Sequence, residues 1–383
     1  MTDLEHVLPL WHELEATGAD YVLATIVAVE GSSYRKPGAR MLLAQDGRRA
    51  GTVSGGCLEA EVARRAWWLT TNGPVVERYS TLDDDGDLPY GSGCGGVVFI
   101  LLERRVTARP LLIALEAAFI ARKSMAIATV LEGPCIGRRA FAGWPSNSSP
   151  TADNSSLLPE PSLAHLADFA LQHRTSIERK ISIEGTSTRV WVNYRAARPG
   201  LWIFGAGDDA RPLVHLAREL GWFVAVADGR SHLATKNRFA VADEVIALPI
   251  AEFPAASSNY LDIHASDAAV LLTHSFEQDS RILASLLGDS HGGSFAYIGV
   301  LGPQRRTREV LAEVERLLHL AADPERIERW LAQLHAPIGI DLGADTPASI
   351  ALSILAEIQQ TLNAATALPL RQVRAVPAII PCK

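Results

Sequence analysis

Residues 201–230, LWIFGAGDDARPLVHLARELGWFVAVADGR, decide how the second half of the chain folds. Residues 201–204 are a short apolar run, and Gly205-Ala206-Gly207-Asp208-Asp209-Ala210 supplies a G-x-G-x-x-A turn. Leu213, Leu216, Ala217 and Leu220 then recur at helical spacing, Gly221 closes the helix, and residues 223–227 form a second apolar run ending at Asp228. Strand, glycine turn, helix, strand and terminal acid together match the first βαβ unit of a dinucleotide-type fold. In such a unit Gly205 permits the tight turn, Gly207 lets a phosphate approach the backbone, and Ala210 lets helix and strand pack closely. The free N–H groups and the positive end of the helix dipole would face an anion. Asp208 and Asp209 complicate this, because carboxylates at the helix start compete with a pyrophosphate for the same N–H groups. Asp228 would take a ribose hydroxyl, whereas Arg230 just beyond it would favour a 2′-phosphate.

Downstream, residues 242–247, 268–272 and 294–300 read as further strands, with helices from Phe276 and from Gln304. Ligands of open α/β sheets sit beyond the carboxyl ends of the strands. That rule puts the Gly205 turn, Asp228, Thr273, His274 and the Gly302–Arg305 turn on one rim. His274 is either an acid–base or ligand group or a structural hydrogen-bonder. Of Arg305 and Arg306, one is a candidate phosphate partner and the other a solvated cation. Residues 323–383 read as a helical C-terminal segment and tail, with Thr346-Pro347 an apt N-cap and N1 pair for the last long helix.

Upstream, Arg198-Pro199-Gly200 is the expected boundary. It leaves residues 1–198 as an N-terminal mixed α/β domain and 199–322 as a Rossmann-like domain with a doubly wound parallel sheet. The first domain opens with a helix at 4–17, a strand at 21–29, and the loop Gly31-Ser32-Ser33-Tyr34-Arg35-Lys36-Pro37-Gly38, which is either an anion-holding loop or a solvated tip. A hairpin across Asp46-Gly47 follows, then Ser54-Gly55-Gly56-Cys57-Leu58-Glu59 ahead of a helix at 60–69. A thiol at Cys57 would have its thiolate favoured by the helix dipole, with Ser54 as N-cap and Glu59 in the first turn. The alternative is a small buried core cysteine. Gly93-Cys94-Gly95 forms a second glycine-flanked thiol before a buried-looking strand at 97–102. Cys57 and Cys94 either meet at a site, pair on oxidation, or stay apart. The Pro/Ser-rich stretch 143–161 reads as a mobile loop or insertion within this domain.

Composition narrows the function classes. The 383 residues are 48% hydrophobic and 21% charged, a globular balance with room for two or three domains. A net charge of −7 and no basic stripe exclude a nucleic-acid surface. No run approaches the ~18 apolar residues of a membrane span. The N-terminal stretch is an acidic amphipathic helix rather than a signal peptide. Cysteines at 57, 94, 135 and 382 lack zinc spacing, which points to a reduced, cytoplasmic protein.

The chain resembles the XdhC/CoxI family of accessory proteins for molybdenum hydroxylases such as xanthine dehydrogenase. The resemblance covers nearly all of the chain and is carried by GSSYRKPGARML (31–42), SGGCLEAEVARRA (54–66), GCGGVVFILLE (93–103), LWIFGAGDDARPL (201–213), YIGVLGPQRRT (297–307) and HAPIGIDLGADTPASIALSILAEI (335–358). It implies a chaperone that binds the molybdenum cofactor, assists its sulfuration with a cysteine desulfurase, and delivers it to the apo-molybdenum hydroxylase. A homodimer is expected. Molybdopterin carries a phosphate suited to a glycine turn, and its soft dithiolene-bound metal suits thiolates at Cys57 and Cys94, which are candidate molybdenum contacts and candidate reactive groups. Two other classes remain open on the sequence: an NAD(P)-dependent oxidoreductase using the Rossmann turn, Asp228 and His274, and a scaffold whose fold binds no nucleotide.

Overall fold

The structure, a computed structural model, describes residues 4–56, 58–80, 96–144, 161–255, 257–288 and 295–373. Readings that fall on Cys57, on Gly93, Cys94 and Gly95, on the loop from 145 to 160 and on the tail from 374 lie outside the described residues. The chain divides into two compact units, Met1–Arg198 and Pro199–Lys383. Among the described residues no helix is long and apolar enough to cross a membrane.

The first unit contains α1 (Leu4–Thr17), β1 (Tyr21–Gly31), β2 (Arg40–Ala44), β3 (Arg49–Gly51), α2 (Glu59–Leu69), β4 (Val75–Ser80), β5 (Gly96–Arg104) and α3 (Arg105–Ile120). It continues through β6 (Met125–Val130), β7 (Arg139–Ala142), α4 (Pro161–His173), β8 (Ile177–Ile183) and β9 (Thr186–Arg195). Two antiparallel sheets result, ordered β3-β2-β1-β5-β4 and β7-β6-β9-β8. Side-chain alternation along β1 explains the layering. Tyr21 and Leu23 pack with α1 and α3, while Val22, Ala24 and Ile26 face α2. In the second sheet Ala126, Ala128 and Val130 pack against Leu163, Ala167 and Ala170 of α4. A register shift between Ile26 and Ala28 re-aims the end of β1, so that Ala28 to Gly31 pair with Phe99 to Gly96. The loop after β1 is thereby delivered to the start of β5.

The second unit holds β10 (Gly200–Phe204), α5 (Ala210–Glu219), β11 (Phe223–Asp228), β12 (Glu244–Ala247), β13 (Asp267–Leu271), α6 (Phe276–Leu287), β14 (Phe295–Val300), α7 (Gln304–Leu317), α8 (Pro324–Gln333) and α9 (Pro347–Leu362). Its sheet runs β12-β11-β10-β13-β14, every neighbouring pair parallel. Strand order reverses between β10 and β13, the switch point of a Rossmann-like sheet. Leu201 and Ile203 of β10 face α5 and α9, while Trp202 and Phe204 face α6 and α7, so the sheet is doubly wound. All four are fully buried, and each such side chain stabilises the fold by about 1.5–3 kcal/mol. The last long helix begins where Thr346-Pro347 indicates, with the Thr346 hydroxyl accepting from the Ser349 N–H at 3.2 Å.

Candidate functional site

Each unit carries a glycine turn at a helix start. In the first unit Thr52 to Ser54 is organised around Glu59, which is only 5% exposed. Its Oε1 accepts the Ser54 N–H at 2.8 Å and the Val53 N–H at 3.2 Å, and the hydroxyls of Thr52 and Ser54 also donate to the carboxylate. Burial alone would raise the Glu59 carboxyl, but the hydrogen bonds from Ser54 and Thr52 outweigh it and hold the group below its ordinary value. Ser54 Oγ in turn accepts the N–H groups of Gly56 at 3.2 Å and Leu58 at 3.0 Å. Ser54 is therefore not the helix N-cap that its position suggests: α2 starts at Glu59 with Leu58 as its cap, and Ser54 ties the turn one step earlier. Gly55 and Gly56 are exposed, Gly56 has φ +117, and a Cβ at 56 would meet nothing within 4 Å.

Two other glycine-bearing segments reach this turn. The ring of exposed Tyr34 lies against Gly55, where a Cβ would come within 3.6 Å of Tyr34 Cγ. Gly96 passes beneath the Ser32 carbonyl so closely that any Cβ would overlap the oxygen. The loop 31–38, the turn 52–56 and the start of β5 thus meet at one end of the first sheet, where β1 finishes and β5 begins. In sequence, Cys57 directly follows Gly56, and Cys94 is separated from Gly96 by Gly95 alone.

In the second unit the turn after β10 sits at the switch point. Gly205 has φ +130, and a Cβ there would lie 2.5 Å from the Leu272 carbonyl oxygen, so the end of β13 requires glycine. Asp228, at the end of β11, is fully buried. It accepts the Ala206 N–H at 2.7 Å and the Arg230 N–H at 2.8 Å, and its two oxygens are gripped by Arg230 Nε at 3.0 Å and Nη2 at 2.7 Å. Burial would raise its carboxyl, but the Arg230 guanidinium and the amide donors together hold it below its ordinary value. Arg230 also reaches the Thr273 carbonyl at 3.3 Å. Above the turn, Asp209 folds back over Gly207 and accepts from His274 at 2.8 Å, with His274 in the left-handed region at φ +57. Asp208 pairs with Arg238 at 2.9 Å.

Gly205, Asp228, Arg230 and Thr273 are thus brought together, and His274 joins them through Asp209. Ala210 is fully buried at the start of α5. Gly302, at φ +118, opens α7. Arg305 stands apart: its side chain is 91% exposed and reaches Glu309. The neighbouring Arg306 turns inward and pairs at 2.7 Å with buried Asp279, whose other oxygen accepts from the Thr273 hydroxyl at 2.6 Å. Asp279, Arg238 and Gln278, which accepts the Gly229 N–H at 3.0 Å, were missed on the sequence. Asp279 had a signal: it shares the apolar face of α6 with Ile282, Leu283 and Leu286, where an unpaired acid would be costly.

A dinucleotide tests poorly against this rim. A ribose diol would have to displace Arg230 and the Ala206 amide from Asp228, and a pyrophosphate would meet the Asp209 carboxylate over Gly207.

Comparison with known proteins supplies the family. The profile described as "XdhC Rossmann domain" matches residues 201–358, and that of the "XdhC and CoxI family" matches residues 14–80. A Bacillus subtilis protein named as a probable xanthine dehydrogenase subunit is 30% identical over 348 residues, covering 89% of this chain and 92% of its own. The Escherichia coli protein named molybdenum cofactor insertion chaperone PaoD is 23% identical over 354 residues, 89% of this chain and 83% of its own. A crystal structure from Bacillus halodurans, described as a xanthine dehydrogenase, superposes with a TM-score of 0.69 at 30% identity, covering 98% of this chain and 100% of that one. With both family profiles matched, and with 30% identity across almost all of a curated relative, the chain belongs to the XdhC/CoxI family.

Proposed function

We propose that this protein binds the molybdenum cofactor as cargo and inserts it into an apo-molybdenum hydroxylase of the xanthine dehydrogenase type. The observation that carries the reading is the Ser54–Gly56 turn, an exposed glycine backbone whose acid, Glu59, bonds Thr52, Val53 and Ser54. Gly55 and Gly56 leave the backbone accessible to a phosphorylated ligand, Glu59 and Ser54 hold the turn in shape, and the thiols of Cys57 and Cys94 are the soft groups suited to a dithiolene-bound metal. The bound cofactor would supply the oxo-transfer chemistry of the recipient enzyme; this chain's part is to hold, shield and release it. Sulfuration with a cysteine desulfurase and a homodimeric assembly belong to the same proposal. The names of the relatives, a xanthine dehydrogenase subunit and an insertion chaperone, support it. NAD(P)-dependent oxidoreduction has the sheet topology in its favour and the buried, ion-paired Asp228 against it.

The test is direct transfer. Protein loaded with molybdenum cofactor and mixed with cofactor-free hydroxylase is expected to restore activity faster and to a higher level than free cofactor. No retention of the cofactor by the wild-type chain would overturn the reading, and so would restoration no better than with free cofactor. Saturable quenching of NADH or NADPH fluorescence would favour the oxidoreductase instead.

A further inference from the structure

We infer that Tyr34 is the stacking platform for the flat pterin heterocycle of the cargo, set beside the Gly55-Gly56 backbone; this rests on the cofactor-binding reading above. Tyr34 is 72% exposed, while Tyr21, Tyr79 and Tyr297 are buried. A large aromatic ring left in water next to a side-chain-free turn is poised for a planar ligand. One side of the ring rests on Gly55, where a Cβ would meet the ring atoms at van der Waals distance, 3.6 Å from Cγ.

The ring does not stand on a loose tip. Its loop is closed at one end by the Gly31–Gly96 pair of the sheet and at the other by the Gly38 N–H donating to the Ile26 carbonyl at 2.8 Å. Between them the Ser33 hydroxyl donates to the Arg35 carbonyl at 2.9 Å, and Ser32 is packed over Gly96. An arch tied at both ends presents the ring with little ordering left to be lost on binding. Exposed Lys36 lies two residues on and offers a cation to a phosphate. A pterin fits this combination: a π-face for the ring, polar edges for the glycine backbone, and a phosphate for the cation.

The probe is metal-free molybdopterin, with a simple pterin as a second ligand, titrated into the full chain while pterin fluorescence is recorded. Wild type is expected to bind molybdopterin and quench the pterin. Tyr34→Phe should bind within twofold of wild type, because the ring and not the hydroxyl makes the contact. Tyr34→Leu should weaken binding roughly tenfold and relieve the quenching, the scale of one lost base–aromatic stack, at an unchanged melting temperature. Tyr34→Leu that binds and quenches like wild type would overturn the platform while leaving the cofactor reading intact. Wild type that binds without quenching would do the same, and needs no variant to fold. Tyr34→Leu that binds normally yet fails to transfer cargo would assign the ring to the recipient protein and likewise overturn it. A wild-type chain that ignores molybdopterin would remove both readings.

Discussion

The two glycine turns of this chain look alike in sequence and differ in where their acids sit. In the second unit Asp209 lies over Gly207 and pairs with His274, while Asp228 takes the Ala206 amide that an incoming phosphate would want. In the first unit Glu59 collects Thr52, Val53 and Ser54, and Gly55 and Gly56 are exposed. Free backbone amides at a helix start make an anion cradle only when no carboxylate of the protein reaches them first. The sequence motif that advertises a cradle is therefore covered by carboxylates, whereas the less familiar one commits Val53 and Ser54 to Glu59 and the Gly56 N–H to the Ser54 hydroxyl while both of its glycines stay exposed.

Removing the acid of each turn should separate the two. Glu59→Gln is expected to have the largest effect, about 3 kcal/mol of stability at neutral pH in denaturant unfolding, because an amide nitrogen would face donors in a nearly sealed space. It should also weaken cofactor binding. The pH dependence follows from the direction of the shift. Glu59 titrates below its ordinary 4.5 in the folded chain, so its stabilisation is complete above 4.5 and is lost as pH falls through the folded value. The gap between wild type and Glu59→Gln should close over that acidic range; a gap that widens there would break the assignment. Asp228→Asn comes next, at roughly 2 kcal/mol, less because the half-exposed Arg230 can rehydrate when released. Cofactor binding by Asp228→Asn should match wild type, and its loss would erase the distinction between the turns.

Smaller effects sharpen the same contrast. Asp209→Asn removes the carboxylate over Gly207 and should raise the affinity of the second unit for inorganic pyrophosphate about two- to fivefold by calorimetry. No change would mean that the carboxylate does not screen the turn. Arg305→Ala should shift stability by less than about 0.5 kcal/mol, since its ion pair with Glu309 is exposed. A large loss on that substitution would return Arg305 to the rim as a binding residue.

The second unit was readable from residues 201–230 outward because each local signal agreed with the next. A G-x-G-x-x-A turn between two apolar runs, helical spacing in α5 and a Thr-Pro start to α9 all point to one packing, and the parallel, doubly wound sheet follows. The first unit was harder. β8, Ile177–Ile183, is a sheet edge with mostly exposed polar side chains, and β7, Arg139–Ala142, is only 4 residues long, so neither carries a clear period-2 apolar pattern. Helix α3 starts at Arg105, where β5 passes straight into it with no glycine or asparagine to mark the junction. Site residues were legible as a set of glycines and acids, but not their use. Which side of a turn a carboxylate occupies depends on the helix register beneath it, and Asp279 and Glu59 show how one buried acid organises a loop several residues away.

Hydrogen exchange on the full chain with and without molybdopterin tests the central claim most directly. Slowed exchange is expected across residues 31–38 and 52–60, with residues 205–210 unchanged. Protection confined to 205–210 and 273–274 would contradict it and return the cargo to the Rossmann turn.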